Sequence, residues 1–196
     1  MAKAAIRNAS WRSTGLPTGV FQAVRALKLP RGRNPECSNY NPVARLQETL
    51  LFPTLRKLGI VFYAYSSLAG CFLTKTAADI KQGKGRLNNQ VIDVLCKEPY
   101  AKPTYVDALE KWEAAAAAEG VTQAVLANQW VVFNPLLKKE RGDGIVIGVS
   151  NNEQLEQTLA HLKKGHLRDQ AMKAIDDIWE AIKHEAPYDN THRMLP

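Results

Sequence analysis

One stretch, residues 142–159 (GDGIVIGVSNNEQLEQTL), constrains the fold more than any other. Residues 145–149 are apolar or small throughout and read as a buried strand. Ser150 and Asn151 follow at once, and Leu155, Leu159 and Leu162 then keep to one helical face. A strand that passes through a polar turn into a helix aims the unpaired N–H groups of the first helical turn above the sheet, which is a setting for a phosphate. A second strand, residues 60–65 (IVFYAY), is β-branched and aromatic. Helical sequence separates the two. They therefore read as parallel strands joined by helical crossovers, and the chain as an α/β protein.

The remaining elements follow from spacing and punctuation. Asn41 with Pro42 at the first position predicts a helix carrying Val43, Leu46, Leu50 and Leu51. Pro53 breaks or restarts it, Leu55 and Leu58 continue it, and Gly59 ends it. Residues 66–103 look loop-like, punctuated by Gly70, Gly83, Gly85 and Pro99. Thr104 with Asp107 opens a helix that runs through the alanines to Gly120, and Thr122 opens another to about Phe133. The helix after the second strand runs to Lys164 and ends at Gly165. The last helix carries Met172, Ile175, Ile178, Trp179 and Ile182 on one stripe, and the tail from Pro187 is irregular.

Charge points away from nucleic acid once it is located. Of 26 basic residues, seven lie in residues 1–35, which hold no Asp or Glu; the remainder balances 19 basic against 19 acidic. The net charge of +7 thus sits in an N-terminal arm and not on a domain face. That arm reads as a poorly ordered basic leader, with a mitochondrial transit peptide as the alternative. No apolar run approaches the roughly 18 residues of a membrane span, and no secretory signal is evident. Cys37, Cys71 and Cys96 are scattered and form no C-x-x-C pair, so they read as reduced thiols in a reducing compartment, the cytoplasm in the first place.

Three segments could carry chemistry. Tyr65 ends the IVFYAY strand, and the small residues Ser66, Ser67, Ala69 and Gly70 after it allow close approach of backbone to a phosphate. The plain alternative is a βα loop whose glycine makes a turn. Gly83-Lys84-Gly85-Arg86 suits a phosphate clamp, although solvated loop charges have the same composition. Ser150 caps the following helix or touches a phosphate, and Gln154, Gln157 and Thr158 can bond a sugar or base; capping alone would also account for them. No G-x-G-x-x-G or G-x-S-x-G motif is present. The four histidines show no i, i+4 pair and no metal site is expected, while Glu110, Glu113 and Glu119 read as a solvated face.

Taken in order, YNPVARLQETLLFPTLRKLGIVFYAYSSLAGCFLTK, GKGR and ERGDGIVIGVSNNEQLEQTL resemble the C-terminal half of the aldo-keto reductases, specifically the aflatoxin-aldehyde reductase branch and its fungal relatives. The likeness runs from about residue 39 to residue 188. It implies the C-terminal part of a (β/α)8 TIM barrel, incomplete, with residues 36–196 as the barrel domain and a further strand near Cys37–Tyr40. It also implies NADP(H) as cofactor and a small-molecule carbonyl substrate. By position, Tyr65 would stack under the nicotinamide. Ser66, Leu68, Gly70, Phe72 and Lys75 would line the pyrophosphate path, and Arg86 would close over the cofactor. Ser150, Asn151, Gln154, Gln157 and Thr158 would hold the adenosine end with its 2′-phosphate.

The sequence departs from the family pattern at several of these positions. Ser67 stands where Pro is usual, Cys71 for Gly and Thr158 for Asn, and a Gly is missing between Thr74 and Lys75. Weaker cofactor binding is expected, since one or two lost hydrogen bonds cost roughly 1–3 kcal/mol. The family's catalytic Asp, Tyr, Lys and His come from early strands, and residues 1–35 contain no Asp, Tyr or His. No catalytic residue is therefore assigned. The chain reads as a truncated, inactive reductase whose open sheet edges would be covered by a second copy or a partner. The alternative is a non-catalytic NADP-binding regulatory or interaction module.

Overall fold

The computed structural model describes residues 35–82, 100, 102–149 and 151–188. The expectations for the basic arm before residue 35 and for the GKGR loop lie outside these residues. Among the described residues, three short strands make a parallel sheet in the order β1 (Glu36–Asn39), β2 (Phe62–Tyr65) and β3 (Gly144–Ile145). Asn39 pairs with Tyr65, and Ala64 with Ile145, so the carboxyl ends of all three strands emerge on one side. The helices are α1 (Gln47–Leu50), α2 (Phe52–Leu58), α3 (Ala77–Gln82), α4 (Pro103–Glu119), α5 (Gln123–Val132), α6 (Asn152–Leu162) and α7 (Asp169–Ile182).

Local chemistry explains most boundaries. Pro53 lies in the first turn of α2, where its missing N–H costs nothing, so the proline restarts the helix. Gly59 ends α2 at φ 63° and Gly120 ends α4 at φ 72°, left-handed positions that favour glycine. Thr122 caps α5 by accepting from the Val125 N–H at 3.3 Å.

Four expectations are corrected. Asn41 caps no helix: its Oδ1 accepts from the Val43 N–H at 3.1 Å, and its backbone exchanges bonds with Ala44 in a tight turn. Asn-Pro favours such a turn, and the first helix begins only at Gln47. Residues 66–103 are not loop throughout, because they include a 3₁₀ turn at Phe72–Thr74 and α3. The sign for α3 was present in Thr76-x-x-Asp79: the Asp79 N–H donates to Thr76 Oγ1 at 3.0 Å, and the Thr76 N–H to Asp79 Oδ2 at 3.2 Å. Pro103, not Thr104, opens α4. The run 145–149 is half-buried to exposed, and its ladder ends after the Val146 N–H bonds Ala64 O at 2.8 Å. Among the described residues β3 has a neighbour on the β2 side only, so this apolar run is not enclosed from both sides.

The core is aromatic around β2. Tyr40, Phe52, Phe62 and Trp130 pack with ring centroids 4.8–6.1 Å apart in tilted and edge-on pairs. Phe72, Tyr100 and Tyr105 form a second cluster. The α7 stripe is as expected, with Ile175, Ile178 and Ile182 buried against α4 and its alanines. Arg45 is buried between two indoles, its guanidinium 4.3 Å from the Trp130 ring and 5.6 Å from Trp179. Its donors go to Pro42 O, Ile175 O and Asp176. Glu113 and Glu119 are not merely solvated: Glu113 accepts from the Ala77 N–H at 2.9 Å, and Glu119 holds Arg168.

Glu48 gives the fold a pH dependence. Its carboxylate accepts the Tyr40 hydroxyl at 2.7 Å. Burial holds this carboxyl above its ordinary value of 4.5, and the Tyr40 bond and Arg45 charge offset only part of that. Ionising Glu48 therefore costs more in the folded chain than in the unfolded one. Its stabilising contribution is complete below pH 4.5 and is lost as pH rises through the elevated folded value. Glu48→Gln keeps an acceptor for Tyr40 without the titration. Urea midpoints should show the parent losing ground to this variant as pH rises above 4.5; identical pH profiles would contradict the assignment.

Candidate functional site

The carboxyl end of β2 leads directly into the first group of candidate residues, the end of an α/β sheet at which ligands are expected. Tyr65 closes β2 and is half-buried. The chain then turns sharply: Ser66 has φ 58°, Ala69 φ 51° and Gly70 φ 76°. Two of these left-handed residues are not glycine, and each such position costs roughly 1–2 kcal/mol. Local bonds hold the turn. The Ala69 N–H donates to Ser66 O at 2.9 Å, and the Gly70 N–H donates to Ser66 Oγ at 2.9 Å.

The loop is also anchored from several sides. The Ser67 hydroxyl turns inward and donates to Asn128 Oδ1 on α5 at 2.7 Å, both groups being buried. The indole N–H of Trp112 on α4 donates to Leu73 O at 3.1 Å, and Gln123 Nε2 donates to Lys75 O at 3.1 Å. Leu68 is half-buried against the core, and Gly70 is exposed. Phe72 is a core side chain stacked on Tyr100, and its own peptide N–H and C=O are spent on Ala69 O and the Lys75 N–H. The Lys75 side chain is half-buried at the end of the segment. Cys71 adopts φ −147°, so the backbone there does not require glycine.

The other half of the expected site is the start of α6. Here Asn151, not Ser150, is the cap: its Oδ1 accepts the Gln154 N–H at 2.9 Å. Gln157 Nε2 donates to Glu153 Oε1 at 3.2 Å, and the Thr158 hydroxyl donates to Gln154 O at 2.8 Å. These side chains are exposed or half-exposed, so an incoming ligand exchanges local bonds for its own. Ser150 and Arg86 lie outside the described residues.

Two buried amides at this end have roles the sequence reading does not give: Asn39 goes unmarked there, and Asn41 is read as a helix cap. Asn39, the last residue of β1, and Asn41 are fully buried. Asn41 Nδ2 donates to Asn39 Oδ1 and to Ser66 O, each at 3.0 Å, and Asn39 Nδ2 lies 3.5 Å from the Tyr100 hydroxyl. The available signal was two asparagines bracketing an aromatic at a strand end, where polar groups can be inside only if paired.

Residues 37–180 match the model of the Aldo/keto reductase family. The chain belongs to that family. Among similar proteins are oxidoreductase sirO of Leptosphaeria maculans, 34% identical over 149 residues, and aflatoxin B1 aldehyde reductase member 2 of Homo sapiens, 35% identical over 158 residues. These alignments cover 76% of this aldo/keto reductase chain but 45% and 44% of those relatives. The chain thus spans about half the length of the curated relatives it matches. Glycerol dehydrogenase AKR11B4 of Gluconobacter oxydans superposes with a TM-score of 0.51 at 22% identity, over 72% of this chain and 41% of that one. Family and neighbour together imply a TIM-barrel fold; the described part is helix-rich with a small parallel sheet. Aldo-keto reductases are oxidoreductases that generally use NAD(P)H. No helix among the described residues is long and apolar enough to cross a membrane.

Proposed function

We propose that this chain carries the cofactor side of an NADP(H)-dependent reductase for aldehydes or ketones, with residues 36–196 as its barrel domain. The observation that carries the reading is the strand end itself. The half-buried Tyr65 is followed at once by a left-handed turn at Ser66–Gly70, beside the sheet end from which the chain passes to α6. A flat ring suits a nicotinamide face, and a turn with a bare Gly70 suits a pyrophosphate. The residues present fit such a group in donor chemistry. Tyr65, Ser66, Leu68, Gly70 and Lys75 would hold the nicotinamide and pyrophosphate, while Phe72, expected on that path, serves the core instead, its peptide N–H and C=O being already bonded within the turn. Asn151, Gln154, Gln157 and Thr158, with Ser150 and Arg86, would hold the adenosine end.

The bound dinucleotide supplies a hydride. The chain's own task is to orient it: Tyr65 fixes the ring plane, and the turn after it excludes water from one face. Carbonyl reduction also needs a proton donor beside the oxygen, a contribution of about 10²–10⁴ in rate. Residues 1–35 offer no Asp, Tyr or His for that purpose. The 196-residue chain assayed by itself is accordingly expected to bind NADPH and turn over poorly.

Fluorescence titration with NADPH and NADH, followed by an assay with a nitrobenzaldehyde, tests both halves of this reading. Saturable quenching that favours NADPH, with turnover at least about 100-fold below that of a full-length relative, is the expected result. Absence of saturable binding would remove the cofactor assignment. A rate near the relative's would show that a donor is present after all.

A further inference from the structure

We propose that Asn41 is a positioning residue for the nucleotide loop, its buried amide tying the end of β1 to the Ser66 carbonyl and so holding the Ser66–Gly70 turn left-handed. The inference rests on the cofactor reading just given and names a residue that acts through that loop.

The geometry is specific. Asn41 is fully buried, and both ends of its amide are engaged. Nδ2 donates to Asn39 Oδ1 and to Ser66 O at 3.0 Å each, while Oδ1 accepts the Val43 N–H at 3.1 Å. The Ser66 carbonyl also accepts the Ala69 N–H at 2.9 Å. One carbonyl oxygen is therefore gripped from within its own turn and from a residue 25 positions earlier in the chain. Rotating the Ser66 peptide toward an ordinary negative φ would swing this oxygen away from both donors. It would leave a buried amide N–H of Asn41 without its acceptor, which opposes the rotation. Serine at φ 58° is held against its own preference, and Asn41 is a long-range contact placed to hold it.

Two substitutions and a background change separate this role from simple core support. Asn41→Asp keeps the size of the side chain and the acceptor for Val43, but sets an oxygen against Asn39 Oδ1 and Ser66 O. Asn41→Ala removes all three bonds. Each is compared in the parent and in Ser66→Gly, where a left-handed φ carries no penalty. The measurements are amide exchange of Ala69 in the ligand-free chain and the NADPH dissociation constant from fluorescence, with urea midpoints recorded for every variant.

In the parent background, both substitutions should speed Ala69 exchange and weaken NADPH binding by about ten-fold, beyond any change set by global stability. In Ser66→Gly the same substitutions should change both readouts less than about three-fold. Equal effects in the two backgrounds would mean that Asn41 acts through the core, and would overturn the proposal. So would unchanged Ala69 exchange in Asn41→Asp, the variant that best preserves packing if Asn41→Ala fails to fold. A parent chain that shows no NADPH quenching sinks the cofactor reading, and with it the loop's task. Ala69 exchange would then still decide whether the brace exists.

Discussion

Replacing Asp143 by alanine is expected to cost the fold about 3–5 kcal/mol, a large part of the total stability of a domain. The Asp143 side chain is wholly inaccessible to solvent, yet both carboxylate oxygens are fully used. Oδ1 accepts the Phe62 N–H at 2.9 Å and Arg56 Nη1 at 3.1 Å. Oδ2 accepts the Lys138 N–H at 2.8 Å and lies 2.6 Å from Arg56 Nη2. One residue thus joins the first residue of β2, the last turn of α2 and the segment that leads into β3. Alanine would leave the Phe62 N–H buried without an acceptor and the Arg56 guanidinium without its counter-charge. The penalty is that of orphaned groups, which exceeds the net value of the bonds when made. Urea unfolding followed by circular dichroism measures it: the midpoint should fall with little change in slope. Asp143→Asn, which keeps acceptor capacity but not charge, should fall between. A loss below about 1 kcal/mol for the alanine variant would show that these bonds do not join the sheet.

Trp112→Ala should be comparably damaging, at about 3–5 kcal/mol, and should reach the candidate site as well. Trp112 is fully buried on α4, and its indole N–H donates to Leu73 O in the 3₁₀ turn that ends the nucleotide loop. Truncation opens a cavity between α4 and that turn and removes the carbonyl's partner. Trp112→Phe keeps most of the apolar contact and loses chiefly the hydrogen bond, so it should cost much less, on the order of 1–2 kcal/mol. The comparison separates packing from tethering. If the tether matters to the loop, Trp112→Phe should raise the NADPH dissociation constant by more than its small loss of stability explains. Equal damage from both variants would mean that the bond, and not the volume, carries the effect.

The residues that spoke clearly in the sequence did so through local rules. Gly59 and Gly120 mark helix ends because a left-handed cap favours glycine, and Thr122 marks a start because its hydroxyl takes an N–H that the helix cannot. The Ile175, Ile178 and Ile182 stripe gave α7 its buried face. Parallel pairing of residues 60–65 with the strand at 145 followed from the helices between them. The family resemblance carried the rest of the architecture. What stayed hidden depends on distance. The β3 run has a strand's composition, but among the described residues its ladder with β2 covers only Gly144–Ile145. Asn41 obeys the rule for a helix cap, yet its bond reaches two residues on into a turn and its amide reaches Ser66. The placement of Asn39, Ser67 and Asn128 inside the protein follows from partners far along the chain. Glu113 and Glu119 lie on a helix face that composition reads as solvated, and tertiary contacts recruit both.

The sheet's connectivity also sets an order of events during synthesis. The Phe62 N–H waits for Asp143, 81 positions later, and Arg45 waits for Asp176, 131 positions later. A nascent polypeptide emerging from the ribosome at about 5–20 residues per second would carry β2 with one margin unsatisfied for roughly 4–16 seconds. During that interval the exposed ladder groups are open to pairing with other chains, an exposure that a locally wired helical bundle of equal size would not share.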